Sequence, residues 1–268
     1  QMILKPMVNA SLEMYTRIRA ELLPTPAKSH YTFNLRDLSK VYQGILMITP
    51  SSCNNKETML RLWVHESLRV FHDRMICNDD KEYFKQLIAE FMGKFFDNMF
   101  SYDDLFGGEE LIFGDFMKMG ATGEDRTYDQ IDSYQKLMKV MGNYLEEYNL
   151  SSSNPMNLVF FLDAVKHITR IARVLRQPRG NAMLVGVGGS GKQSLTKFGT
   201  FMAEYELFQI ELTRGYGTNE FREDLKTLYK MTGIGEENVV FLFTDTQIVN
   251  EGFVEDFNNI LNSGEVPG

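Results

Sequence analysis

The sequence is poor in cysteine. Its 268 residues include only Cys53 and Cys77, so no disulfide framework organises it and a reducing compartment is expected. It has no long hydrophobic run. The longest apolar stretch, Leu158 to Val165, is interrupted by Asp163. A bilayer-spanning helix needs roughly 20 apolar residues, so no membrane contact is expected. Nor is there an excess of positive charge: 28 Lys and Arg stand against 36 Asp and Glu, a net of −8. That argues against nucleic acid as a general partner. Histidine is scarce too. His65 and His72 share one face of a predicted helix, but no further ligands cluster near them. They are expected to be ordinary, partly exposed histidines and not a metal site.

What is present is globular composition, 43% hydrophobic and 24% charged. The length allows one large domain or two ordinary ones. No signal-peptide pattern follows Gln1. The chain begins on Gln and ends Glu-Val-Pro-Gly, which reads as a segment of something longer.

Residues 1–103 read as a helical unit. Apolar residues at helical spacing predict helices over Ser11–Leu23, Leu35–Ile48, Glu57–Met75 and Lys81 to about Asn98. Pro24, Pro26 and Pro50 separate the first three. Arg36 falls in the first turn of its helix, where a cation opposes the dipole. It therefore calls for an anion, either a nearby acid such as Asp37 or a phosphate.

The acidic, glycine-containing stretch 103–110 is the best domain boundary in the sequence. A short strand is expected at Leu111–Phe116, and helices at Tyr128–Tyr148 and Asn157–Gln177. Arg170, Arg173 and Arg176 near the end of the second helix suit its C-terminal dipole.

An apolar run, Met183–Val187, then leads into Gly186-Val187-Gly188-Gly189-Ser190-Gly191-Lys192 and an amphipathic stretch, Leu195–Tyr205. Strand, glycine turn and helix in that order, with Gly-x-x-x-x-Gly-Lys spacing, are the pattern of a phosphate-binding loop. Glycines let backbone N–H groups turn toward an anion, the helix N-terminus adds a positive dipole end, and the lysine adds a full charge. Strands at Leu207–Leu212 and Val239–Phe243 alternate with helices at Asn219–Met231 and Glu251–Leu261. The second strand is expected to be buried on both faces. This alternation predicts a parallel, three-layer α/β core. An acid, Asp245, closes the second strand about fifty residues after Lys192. That is the other half of a nucleotide-hydrolysing site, where an acid orders Mg²⁺.

Longer motifs carry a more specific resemblance. Arg176-Gln177-Pro178-Arg179-Gly180-Asn181, the loop from Gly186 to Leu195, Phe243-Thr244-Asp245-Thr246-Gln247-Ile248 and Asn262-Ser263-Gly264-Glu265-Val266-Pro267 resemble the fourth AAA+ module of an axonemal dynein heavy chain. His30-Tyr31-Thr32-Phe33-Asn34-Leu35-Arg36-Asp37-Leu38 resembles the small helical subdomain of the third module. The resemblance implies a P-loop NTPase core, incomplete, behind a helical lid. Residues 1–103 would be the third module's lid, and 104–268 the N-terminal part of the fourth module's large subdomain. It implies ATP or ADP with Mg²⁺ held by Gly186, Gly188, Gly189, Ser190, Gly191, Lys192, Gln193 and Ser194. Arg36 would serve as the sensor arginine of the third module's lid. Its implied partners are the rest of the heavy-chain ring, microtubules through parts outside this segment, and intermediate and light chains. The implied location is the cytoskeleton of a cilium or flagellum. In AAA+ sheets the fourth strand lies between the first and third, so strand 183–187 would lack its neighbour here.

Two departures from that pattern matter. Gln193 stands where a Ser or Thr ordinarily binds Mg²⁺, and Ser194 comes one residue late. At the strand end either Thr244-Asp245 or Asp245-Thr246 replaces the expected Asp-Glu pair. Gln193 and Asp245 remain as metal ligands, and Thr244 or Asp245 as the catalytic positions, but neither register supplies a Glu. The expectation is a regulatory site that binds nucleotide and hydrolyses it poorly. The competing readings are a P-loop phosphotransferase acting on a small molecule, and a structural module with an empty site.

Overall fold

The computed structural model describes residues 3–235 and 237–266. They form two compact units, Gln1–Tyr144 and Leu145–Gly268.

The first unit is built on five helices: α1 (Leu4–Glu21), α2 (Leu35–Ile45), α3 (Lys56–Val70), α4 (Asn78–Phe95) and the short α5 (Tyr102–Phe106). Side-chain caps set three of the starts, those of α2, α3 and α5, the last through Ser101 and Asp104. The Asn34 amide oxygen accepts from the Arg36 N–H at 2.8 Å while Asp37 accepts from the Asn34 N–H at 2.9 Å. Asn55 accepts from the Thr58 N–H at 2.7 Å. α1 begins earlier than the expected Ser11, because Met7 and Ala10 extend its buried face. α3 stops before the expected Met75, and a single 3₁₀ turn, His72–Arg74, follows it. The core gathers Met14, Ile18, Val41, Leu60, Trp63, Phe71, Phe84 and Phe91. Trp63 is fully buried, and its indole N–H donates to Ser11 Oγ at 2.8 Å, as a buried indole requires.

The core continues past residue 103. Leu105, Leu111, Phe113 and Tyr128 belong to it. β1 (Phe113–Gly114) pairs antiparallel with β2 (Asp129–Gln130), and the Ile131 N–H donates to the Ile112 carbonyl at 2.9 Å. This pairing overturns the helix expected from Tyr128. Residues 129–131 take up ladder bonds instead, and α6 (Tyr134–Ser151) begins after them. His65 is also a correction. It is buried, at 2% exposure, with Nδ1 2.9 Å from the Leu111 carbonyl oxygen and Nε2 3.3 Å from the Tyr128 hydroxyl, which donates to Glu66 at 2.8 Å. Buried polar groups need such partners, so the histidine ties α3 to the segment that follows it.

The second unit alternates helix and strand: α7 (Leu162–Arg176), α8 (Lys192–Met202), β3 (Glu206–Phe208), α9 (Thr218–Gly233), β4 (Val239–Phe241) and α10 (Gly252–Ser263). α7 starts after the expected Asn157. The Asn149 side chain holds Met156 through two hydrogen bonds, at 2.9 and 2.7 Å, so the preceding chain stays in a loop. α7 and α8 approach closely at Gly199, where a Cβ would lie 2.9 Å from Ile171 Cγ2. β3 and β4 are parallel, with Leu207 opposite Val240 and α9 as the crossover between them. Phe221 and Phe253 stack at 4.1 Å beneath this sheet, with Phe243 and Phe257 against them.

Two strand expectations are corrected. Met183–Val187 is not a strand; Met183, Val185 and Val187 are 79–89% exposed. The described sheet has two strands, and nothing pairs with this run, so its backbone has no ladder to join. β4 is half-buried and not covered on both faces, for the same lack of neighbours.

Candidate functional site

Gly186–Gly191 forms an exposed loop that runs into α8. Gly189 and Gly191 adopt φ of +74° and +80°, the left-handed region that L side chains avoid. Gly191 is the N-cap residue of α8 and can offer no side-chain cap. The first N–H groups of this helix are thus left for an external acceptor. Lys192 curls back over the loop. Its Nζ donates to the carbonyls of Gly186 at 2.8 Å and Val187 at 2.7 Å, and lies 3.3 Å from Ser190 Oγ. The structure thus brings Gly186, Val187 and Ser190 together on the Lys192 ammonium. Gly188 lines the loop without any atom near its missing Cβ. Gln193 is exposed on the first turn of α8, and Ser194 beside it is half-buried.

At the end of β4 the chain turns through a 3₁₀ segment, Asp245–Gln247. Asp245 is exposed, and its Oδ1 accepts from the Thr246 N–H at 3.0 Å. Thr244 is occupied locally. Its N–H and Oγ1 donate to Gln247 Oε1 at 2.8 and 3.2 Å, and Oγ1 lies 3.0 Å from the Thr246 hydroxyl. Gln247 is itself buried, and its amide N–H donates to the Ile210 carbonyl at 2.7 Å. One glutamine therefore fastens the end of β4 to the chain leaving β3. Attention to the acids passes over this residue, although Thr244-x-x-Gln247 is the spacing of a capping box.

Arg36 lies in the first unit, exposed in the first turn of α2. Asp37 does not neutralise it, because that carboxylate pairs with Arg74 at 2.9 Å. Tyr15, Arg19, Phe33, Asn34, Leu35 and Arg36 line an open cleft of about 490 Å³. Arg19 was not legible as a site residue; only the folded proximity of α1 and α2 reveals it.

Residues 156–268 match a family model described as P-loop containing dynein motor region D4, and residues 7–105 match one described as AAA+ lid domain. Human dynein axonemal heavy chain 6 is 53% identical over 97% of the chain, mouse dynein axonemal heavy chain 1 is 48% identical over 98%, and human dynein axonemal heavy chain 2 is 47% identical over 96%. The chain belongs to the dynein heavy-chain family. It spans 6% of the length of each of those three relatives. The loop at 186–192 falls within the stretch matched by the P-loop-containing model, and helices α1 to α4 fall almost wholly within the stretch matched by the lid model. The second unit's small parallel sheet is consistent with an incomplete α/β core.

Proposed function

We propose that this chain is the nucleotide-binding segment of a ciliary or flagellar dynein motor, and that its P-loop holds ATP or ADP better than it cleaves it. The observation that carries the reading is Lys192, folded into a loop whose left-handed Gly189 and Gly191 precede an uncapped helix. Such a cradle fits a polyphosphate. On binding, the Lys192 ammonium would exchange loop carbonyls for phosphate oxygens, while backbone N–H groups of Gly186 to Ser194 face the anion. The Gln193 amide oxygen and the Asp245 carboxylate are hard oxygen donors of the kind Mg²⁺ accepts. Bound Mg²⁺ would supply charge neutralisation on the phosphates.

Weak hydrolysis follows from what the strand end holds. A general base must accept a proton near neutral pH. A threonine hydroxyl is a poor base, and the Thr244 hydroxyl already donates to Gln247. Asp245 can serve the metal or the water, not both. Losing a positioned base costs about 100-fold or more in rate.

In this reading residues 1–103 are the lid of the third AAA+ module, with Arg36 facing that module's nucleotide, and residues 104–268 begin the fourth. The segment works with the rest of the ring. Microtubules, intermediate chains and light chains engage other parts of the heavy chain, in the axoneme. The axonemal naming of relatives that align over 97–98% of this chain supports the axonemal placement. The test is single-turnover ATP hydrolysis by a complete heavy chain in which only this site can bind. Slow cleavage with tight binding is expected. Brisk turnover that disappears in Lys192→Ala would overturn the proposal.

A further inference from the structure

Within the helical unit, most arginines have partners. Arg17 pairs with Glu21 and Glu90, Arg69 with Asp73 and Glu110, and Arg74 with Asp37. Arg61 lies over the Phe100 ring at 4.4 Å. Arg19 and Arg36 are the exceptions. Among the described residues neither has an acidic or aromatic-ring partner, and both line the same cleft.

We propose that Arg19 is a second anion-binding residue of this cleft, acting with Arg36 on the polyphosphate tail of a nucleoside di- or triphosphate. The proposal rests on the reading of Arg36 as a residue that faces the preceding module's nucleotide. Its own support is independent of that reading. Two unpaired guanidinium groups on one concavity repel each other, and Arg36 also opposes the positive end of α2. A single multivalent anion relieves both. The floor of the cleft is apolar, since Tyr15 and Phe33 are 9% and 7% exposed. A low-dielectric wall strengthens a charge–charge contact above it. Guanidinium forks match phosphate oxygens in pairs, and about 490 Å³ is within the range of small-ligand sites. Arg19 sits in the last turn of α1, where the dipole favours a cation. It can thus stay charged and unpaired until a ligand arrives.

The test uses the complete heavy chain with the P-loop lysines of all other modules replaced, so that only the preceding module binds. ATP and AMP are titrated, with inorganic tripolyphosphate as competitor. Arg19→Gln and Arg36→Gln should each weaken ATP binding about ten-fold, the worth of one charge-assisted hydrogen bond. AMP binding should be unchanged. Arg19→Lys should retain most of the affinity, and rising salt should shrink the difference. Arg17→Gln, two residues away on the opposite side of α1 and already ion-paired, serves as the control. If Arg36→Gln weakens binding and Arg19→Gln does not, the proposal fails while the reading of Arg36 stands. If neither variant has an effect, both fail. If Arg17→Gln weakens ATP binding as much as Arg19→Gln, the effect is loss of lid structure and the proposal also fails.

Discussion

At the residue scale, conformation separates glycines that share a loop. Gly191 sits at φ +80° while Gly188 does not occupy the left-handed region, and neither has an atom near its absent Cβ. Gly191→Ala should therefore destabilise the apo chain by about 1–2 kcal/mol through backbone strain alone, and Gly188→Ala should leave stability nearly unchanged. Thermal melts of the two variants check this. A carboxylate in the helical unit gives a pH signature. Burial alone would raise the Asp80 carboxyl, but hydrogen bonds from Cys77, Lys28 and Tyr31 outweigh it and hold it below its ordinary value. The contacts are short, 2.6 Å from Lys28 and 2.7 Å from Tyr31. A carboxyl lowered on folding stabilises at every pH above its unfolded value of about 3.9, and that contribution is lost as pH falls through the folded value. Asp80→Asn should cost about 2 kcal/mol near neutral pH. The gap to the natural chain should close as the solution is acidified below about pH 4. Urea unfolding read by Trp63, the sole tryptophan and fully buried in this unit, measures it.

At the element scale, helices were more legible than strands, for a physical reason. Helix periodicity is local, and the caps at Asn34 and Asn55 are local too. Strand state depends on a partner that sequence spacing does not name. The same apolar character made Val239–Phe241 a strand, where β3 pairs with it, and left Met183–Val187 exposed, where nothing does. Tyr128–Ile131 has helical spacing, but its long-range ties to Glu66 and Ile112 decide its state. Within the site, the loop and its lysine were legible from spacing. The capping of Thr244 by Gln247 is local and has a spacing signal, but the fastening of Gln247 to the Ile210 carbonyl has none, since it depends on where β3 ends. Gln247→Ala should free the Ile210 carbonyl and the Thr244 N–H inside a largely buried setting. A buried unsatisfied group costs about 1–3 kcal/mol. Faster amide exchange at 206–212 and 239–247 is expected, with α7 and α8 unaffected. Uniform exchange across the second unit in that variant would show that Gln247 supports the whole core and not the strand ends alone.

At the scale of the whole molecule, the two units differ in how well their apolar residues are covered. The first closes a continuous core around Trp63, Phe71 and Phe91, each fully buried. The second carries a parallel sheet of two three-residue strands, yet parallel sheets are ordinarily covered on both faces. Its Met183, Val185, Val187 and Ile234 side chains stand 79–89% exposed. Local stability follows buried apolar contact and protected hydrogen bonds. Hydrogen exchange on the 268-residue chain should therefore show slow amides concentrated in α3 and α4. Amides of 183–191 and of both strands should exchange fast. The same measurement on a complete heavy chain separates two causes. If Met183–Val187 is an AAA+ strand waiting for its neighbour, its amides become protected there, because a ladder then takes up its N–H groups. If those amides exchange as fast in the complete chain, the run is a surface segment, and the phosphate loop is anchored through α8 alone.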